Sequence, residues 1–245
     1  MNDSSSSTGT NATAHQLSRI QRRVLGVLLE KAFTTPDSYP LTANATVTAC
    51  NQKSNRDPVT NYEAHEVDET LLSLKDALLA IQVYSATGRT ERWKHNLREA
   101  WGLERAGLSV LAELFLRGPQ SEGDLRARAS RMHQMASLDE LRTILNQLAE
   151  RGFVRRLSPE GRKRGVLWGH LFVSEKERAE LDAIAEREAV GGDEEESRPE
   201  SSGSSSASSS SSGGPSLRDL VAELQLKVES LEARLAEIES KTAGL

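Results

Sequence analysis

The feature that most constrains the fold is a series of elements that occurs twice along the chain. Three stretches with apolar residues at three- and four-residue steps, the spacing of one helix face, precede two short strand-like stretches. The first copy spans residues 15–97 and the second spans residues 98–173. Three helices and a hairpin are the element order of a winged helix-turn-helix. The sequence therefore predicts a mainly α fold with small β-hairpins, built from two tandem winged helix-turn-helix units.

In the first unit (residues 15–97), the first predicted helix ends at Thr34-Thr35-Pro36, because the residue before a proline is pushed out of helical angles. The second and third helices are predicted over residues 42–53 and 63–80, and a hairpin is predicted over 81–95. The residues expected to form the buried stripe of the third helix are Val67, Leu71, Leu74 and Leu78.

In the second unit (residues 98–173), the first predicted helix ends at Gly118-Pro119. Two Ser-x-x-acid boxes, at Ser121 and Ser137, predict the next two helix starts, since a serine oxygen can accept from free backbone amides. The residues expected to face inward after the second box are Leu138, Leu141, Leu145 and Leu148. Strands are predicted over 153–157 and 166–173, with a polar loop between them.

The segments outside the two units have little to bury. Residues 1–14 are mostly Ser, Thr, Asn and Gly, and residues 191–216 are rich in Ser, so both are predicted to be disordered. Residues 174–190 are predicted to form a charged helix. No stretch approaches the ~18–20 apolar residues that a membrane helix needs.

Residues 217–241 carry a heptad pattern of apolar residues. β-branched residues at a positions with Leu at d positions favour a parallel dimer, so we expect a homodimer through a coiled coil. The alternative is an amphipathic helix that packs on its own chain. The seam residues are Leu217, Val221, Leu224, Val228, Leu231, Leu235 and Ile238.

No combination of residues typical of catalysis or metal binding occurs in the chain. The five histidines lack metal-ligand spacing, and there is no glycine-rich phosphate loop or nucleophile elbow. We therefore expect no enzymatic activity, no metal and no cofactor. Cys50 is the single cysteine, which favours a reducing cytoplasm, and we interpret it as a packed thiol rather than a nucleophile.

The net charge of −5 combines a basic body with an acidic end. Residues 16–173 hold 23 Lys and Arg against 18 Asp and Glu, whereas residues 174–245 hold 8 against 17. This distribution suits an anionic partner for the body. The alternative is a well-solvated surface with an acidic disordered end.

The basic side chains concentrate on the two hairpins, or wings, and on the second helix of the second unit. Arg and Lys in such places suit phosphate contacts, which position a protein on DNA without specifying a sequence. Exposed turns are also commonly basic without binding anything. The candidate nucleic-acid-binding residues are Arg89, Arg92 and Lys94 of the first wing, Arg126, Arg128 and Arg131 of the helix region, and Arg155, Arg156, Arg162, Lys163 and Arg164 of the second wing.

Two segments of the chain resemble a known family. The first is TACNQKSNRDPV over 48–59, with LLEK at 28–31 and TTP at 34–36, and the second is LFLRGPQSEGDLRARASRM over 114–132. In these motifs the chain resembles the YceH-like family of bacterial proteins. The resemblance covers about residues 16–173 and implies two tandem winged-helix units, in some members with a coiled-coil end. It implies no substrate.

Three hypotheses about function follow. The leading one is a dimeric winged-helix protein that binds double-stranded DNA and has a regulatory role. The rival is a protein-interaction scaffold, because the third helix of the first unit is acidic and would repel phosphates. An RNA-associated factor is a minor third. The polar run over 48–59 is either a loop held by its own amides or a recognition surface.

Overall fold

The computed structural model describes residues 16–84 and 90–190, and within them it confirms a mainly helical fold with small antiparallel hairpins. The elements of the first unit are α1 (Arg19–Thr34), a short 3₁₀ turn (Pro36–Ser38), α2 (Ala43–Cys50), α3 (Ala64–Asp76), β1 (Ala80–Tyr84) and β2 (Glu91–His95), and α4 (Leu97–Trp101) joins the two units. The elements that follow are α5 (Arg105–Arg117), β3 (Gln120–Ser121), α6 (Glu122–Ala129), α7 (Leu138–Glu150), β4 (Val154–Arg156), β5 (Leu167–His170) and α8 (Glu175–Val190). The sequence did not predict α4 or β3.

Serine or threonine side chains cap the starts of α1, α2, α6, α7 and α8. Ser18 and Gln21 form a reciprocal capping box at the start of α1. The hydroxyl oxygens of Thr42, Ser121 and Ser137 each accept a hydrogen bond from the backbone amide three residues later. Each cap satisfies one of the free amides of a first helical turn. The two predicted serine caps in the second unit are thus confirmed.

Both units pair a residue just before their second helix with a tryptophan of the last hairpin strand. In the second unit, β3 joins β5 and β4 in a three-stranded antiparallel sheet, where Gln120 pairs with Trp168. In the first unit, β1 and β2 are antiparallel, and an isolated bridge joins Leu41 to Trp93. The two units therefore share their strand arrangement as well as their helix order.

Two of the leucines predicted to be buried are exposed. α3 ends at Asp76, and Leu78 has a left-handed backbone with a φ of 59° and is 70% exposed. Because this residue breaks the helical phase, its neighbour Leu79 enters the core instead. Leu138 is the first residue of α7 and is 38% exposed, since the side chains of a first turn point back past the helix end.

A single hydrophobic core runs through both units, centred on the packing of α1 against α5. Gly26 permits this close approach, because a Cβ there would lie 3.0 Å from side-chain atoms of Leu116 and 3.1 Å from Phe115 Cβ. The residues described by the structure belong to one compact unit. None of their helices has the length and apolarity needed to span a membrane. The predicted segments 1–14, 191–216 and 217–241 lie outside the described residues.

Candidate nucleic-acid interface

A cleft of about 440 Å³ lies where α7 meets the loop that joins β4 to β5. We call it the wing cleft. α7 contributes one basic and one amide side chain to it, and β4 and the loop contribute three basic side chains. The lining residues are Glu122, Arg142, Asn146, Arg156, Arg162, Lys163, Val166 and Trp168. The cleft thus gathers four cations and one carboxylate.

Glu122, the carboxylate of the cleft, is buried and already paired. Its carboxylate oxygens accept hydrogen bonds from Arg142 Nε at 2.9 Å and from Trp168 Nε1 at 3.2 Å. The hydrogen bond to Glu122 is the main reason that the pKa of Arg142 is raised, with a further contribution from Asp139. Glu122 therefore positions a permanent cation on the α7 side of the cleft.

The wing side of the cleft is built from guanidinium groups held by backbone oxygens. Arg156 donates from Nη2 to the carbonyl oxygen of Arg162 at 2.8 Å, and Arg162 donates from Nε to the carbonyl oxygen of Arg164 at 3.0 Å. Arg156 Nε is buried and has no partner among the described residues. Lys163 and Arg164 are exposed. An oxyanion in the cleft would offer acceptors to these donors.

Arg155 lies on the opposite side of the second wing. Its guanidinium pairs with Asp182 of α8 at 2.5 Å, whereas its neighbour Arg156 lines the cleft. This alternation follows from the pleat of a strand. Arg162, at the loop, also reaches α8, and its Nη1 lies 2.6 Å from Glu188 Oε2. Carboxylates of α8 thus form ion pairs with two of the five basic side chains predicted to bind nucleic acid on this wing.

The basic residues of α6 are not among those that line the wing cleft. Arg126 donates to the carbonyl oxygen of Ala136 at 3.3 Å. Arg128 donates to Gln120 Oε1 at 2.7 Å and lies 3.4 Å from Asp124. Both side chains therefore stabilise the local structure at either end of α6.

Arg131 belongs to a buried ion-pair network between the two units. Its guanidinium contacts Glu30 of α1 and Glu113 of α5, each at 2.5 Å. Arg56 binds the same Glu30 at 2.6 Å. Burial raises the pKa of Glu30, but the hydrogen bond and charge of Arg56, followed by Arg131, outweigh it and lower the pKa. Glu30 therefore stays ionised, and Arg131 pairs with the buried carboxylates of Glu30 and Glu113 rather than lining the wing cleft.

The two described candidate residues of the first wing, Arg92 and Lys94, are also separate from those of the wing cleft. Arg92 is half-buried and donates to the carbonyl oxygen of Pro40 at 2.8 Å. Lys94 is half-buried on the same strand. Arg89 lies outside the described residues. None of the described residues of the first wing lines the cleft.

The polar run over residues 48–59 is held by its own hydrogen bonds. Asn51 accepts from the backbone amide of Tyr62 and donates to its carbonyl oxygen, both at 2.8 Å. Arg56 is buried and donates to the carbonyl oxygen of Ala49 at 3.0 Å. For Asn51 and Arg56, the structure therefore supports the interpretation of this run as a loop held by its own hydrogen bonds.

Cys50 is a packed thiol in the structure. It is fully buried, and burial raises the pKa of its thiol to about 12, which keeps it protonated near neutral pH. Among residues 16–84 and 90–190, no group of three or more His, Cys, Asp or Glu side chains could hold a metal ion.

Three polar residues of the wing cleft were missing from the sequence-based site. Arg142 and Asn146 are four residues apart on α7, so their spacing indicates a shared face. The sequence gives no comparable signal for Glu122. Charged residues are rarely buried without a partner. The partners of Glu122 are Arg142 on α7 and Trp168 on β5, and only the folded chain brings them to it.

Residues 17–163 match the family described as "Protein of unknown function, DUF480". The chain belongs to the DUF480 family. A UPF0502 protein of Rhodopirellula baltica is 40% identical over 190 residues, which cover 77% of this chain and 79% of that protein. A UPF0502 protein of Geobacter sulfurreducens is 43% identical over 187 residues (71% and 85%), and one of Delftia acidovorans is 35% identical over 228 residues (91% and 90%).

The names of these DUF480 relatives describe no enzymatic activity. The region matched to DUF480 includes α7, β4 and the loop as far as Lys163. Most of the wing cleft therefore lies inside the family region.

Proposed function

We propose that this protein is a non-enzymatic winged-helix protein that binds double-stranded DNA through the wing cleft. The observation that carries this proposal is the cleft itself, where Arg142, Arg156, Arg162 and Lys163 surround a space into which the described part of the chain brings one carboxylate, Glu122, which is already paired. A groove whose lining carries an excess of positive charge attracts a polyanion, and phosphates are its natural ligands.

The arrangement of the second unit supports the winged-helix interpretation. α5, α6 and α7 are followed by the β4–β5 hairpin, so α7 occupies the place of a recognition helix and the hairpin that of a wing. Asn146 and Gln147 are exposed on α7, and amide side chains can bind the major-groove edge of adenine. We infer that the YceH-like family that the motifs resemble is the DUF480 family. A homodimer and a cytoplasmic location remain predictions.

The experiment is a salt titration of duplex binding by the full chain. Each phosphate that a cation neutralises contributes about 0.9 to the slope of log affinity against log salt. Replacing Arg162, Lys163 and Arg164 with Ala should flatten the slope by roughly two to three units and weaken binding on all sequences alike. The fold should be retained, because Lys163 and Arg164 are exposed and the partly exposed pair of Arg162 with Glu188 is worth about 0.2–1 kcal/mol.

The matched control removes three exposed cations elsewhere: Lys53, Arg98 and Arg178. It changes the net charge by the same amount, but these residues do not line the wing cleft. We expect its salt slope to stay close to that of the wild type. An equal slope for the wild type and the wing variant would show that these three wing cations do not contact DNA phosphates.

A second candidate function, a protein-interaction scaffold, is favoured by the surface of the first unit. Leu72 is 49% exposed on the acidic helix α3, and Leu78 and Tyr84 are 70% and 62% exposed nearby in sequence. Exposed apolar side chains among carboxylates suit a protein partner better than a phosphate. A wild-type chain that binds no duplex at low salt would favour the scaffold.

A further inference from the structure

α8 packs against the side of the second wing that faces away from the cleft. Leu181 of α8 is buried with Leu157 and Val173 in a small apolar cluster, and Ile184 packs against it. This cluster is separate from the main core. α8 is therefore attached by few apolar contacts, which is typical of an element that can open at a modest cost in free energy.

Ion pairs hold α8 to α1 at its start and to the second wing further along. Near its first turn, Glu177 binds Arg22 of α1 at 2.5 Å. Further along, Asp182 pairs with Arg155, and near the end Glu188 pairs with Arg162 at 2.6 Å. The side chains of Arg162 and Glu188 are 28% and 29% exposed, so bulk water screens this pair only in part.

Arg162 belongs to both surfaces, because it lines the wing cleft and pairs with α8. A phosphate that binds its guanidinium would approach the carboxylate of Glu188, which already accepts from Nη1. Two anions at one guanidinium repel each other unless the geometry separates them. Binding of a phosphate at Arg162 therefore favours displacement of Glu188.

We propose that α8 is an autoinhibitory element of the wing cleft, and that Glu188 competes with a DNA phosphate for Arg162. This inference rests on the proposed function. Displacing a partly exposed ion pair of this kind weakens duplex binding by about 1.4- to 5-fold. Any change that releases the end of α8 from the wing raises the affinity for duplex by that factor.

The test is a double-mutant cycle in the full chain, with duplex affinity measured at one fixed salt concentration. The variants are wild type, Glu188→Gln, Arg162→Ala and the combination of both. We expect Glu188→Gln to tighten binding by about 1.4- to 5-fold in the wild-type background. In the Arg162→Ala background the same substitution should shift affinity by no more than the control charge change does, because Glu188 no longer competes with a phosphate for Arg162.

The matched control is Glu175→Gln, which makes the same charge change at an exposed position at the start of the same helix. It should shift affinity equally in both backgrounds. Thermal unfolding verifies that each variant is folded, and Glu188→Ala, with the same expected result, is the second variant.

The outcomes separate this inference from the proposed function. If Glu188→Gln tightens binding equally with and without Arg162, the effect is general electrostatics, and the inference is overturned while DNA binding stands. No effect of Glu188→Gln in either background would overturn it as well. If none of the folded variants binds duplex, the proposed function fails and the regulatory role of α8 fails with it.

Discussion

The ion-pair network around Glu30 predicts a large and specific loss of stability when its charge is removed. The side chain of Glu30 is 2% exposed and that of Arg56 is 0% exposed. Their atoms meet at two points, Nη2 to Oε2 at 2.6 Å and Nη1 to Oε1 at 3.2 Å. Arg131 adds a third contact from the second unit. Among the described residues, Glu30 is the only carboxylate that forms a salt bridge with Arg56.

Glu30→Gln keeps the shape of the side chain but removes the charge. Breaking a buried pair by removing one partner costs about 3–5 kcal/mol, since the other ion stays buried without compensation. This is a large part of the roughly 5–15 kcal/mol by which a domain is stable. With about 2–4 °C per kcal/mol for a domain of this size, the melting temperature should fall by roughly 6–20 °C.

The assay is urea unfolding at pH 7, followed by tryptophan fluorescence and circular dichroism. The matched control is Glu104→Gln, which breaks an exposed pair with Arg98, where the two side chains are 78% and 66% exposed. Exposed pairs contribute about 0.2–1 kcal/mol, so this variant should remain close to the wild type. A loss for Glu30→Gln as small as that of the control would refute the assigned role of Glu30.

Three further predictions concern pH, the thiol and the C-terminal helix. Burial lowers the pKa of His170 to about 3 and that of His95 to about 4, so both stay neutral in the fold while an unfolded chain takes up protons below pH ~6.5. Stability in urea should therefore fall by up to about 4 kcal/mol from pH 7 to pH 5, and His170→Gln should remove about half of this dependence; a flat profile would contradict it. Cys50→Ala should cost about 1–2 kcal/mol and leave duplex binding unchanged, whereas lost binding by a folded variant would give the thiol a function. Sedimentation should show a dimer for the full chain and a monomer for a chain ending at residue 190, and two monomers would exclude the coiled-coil dimer.

Local patterns in the sequence predicted most of the helices. α7 is an example, because Ser137 caps its first turn while Leu141, Leu145 and Leu148 recur on one face. These signals act within one or two helical turns, so they do not depend on the rest of the fold. The opposite directions of Arg155 and Arg156 follow in the same way from the two-residue period of a strand.

Where a local pattern ends, tertiary structure takes over. Leu78 continues the apolar spacing of α3, yet the chain leaves the helix before it and exposes it. The two residues of β3 are too few to form a pattern, and they become a strand because β5 lies beside them.

The roles of the basic residues depended on tertiary structure most of all. Arg131 and Arg162 look alike in sequence, as arginines in polar, basic segments. Arg131 pairs with the buried Glu30 across a separation of 101 residues, whereas Arg162 lines a cleft and pairs with Glu188 on α8. The free energy of an ion depends on its desolvation and on the charges within a few ångströms, and both are set by residues that only the folded chain brings together.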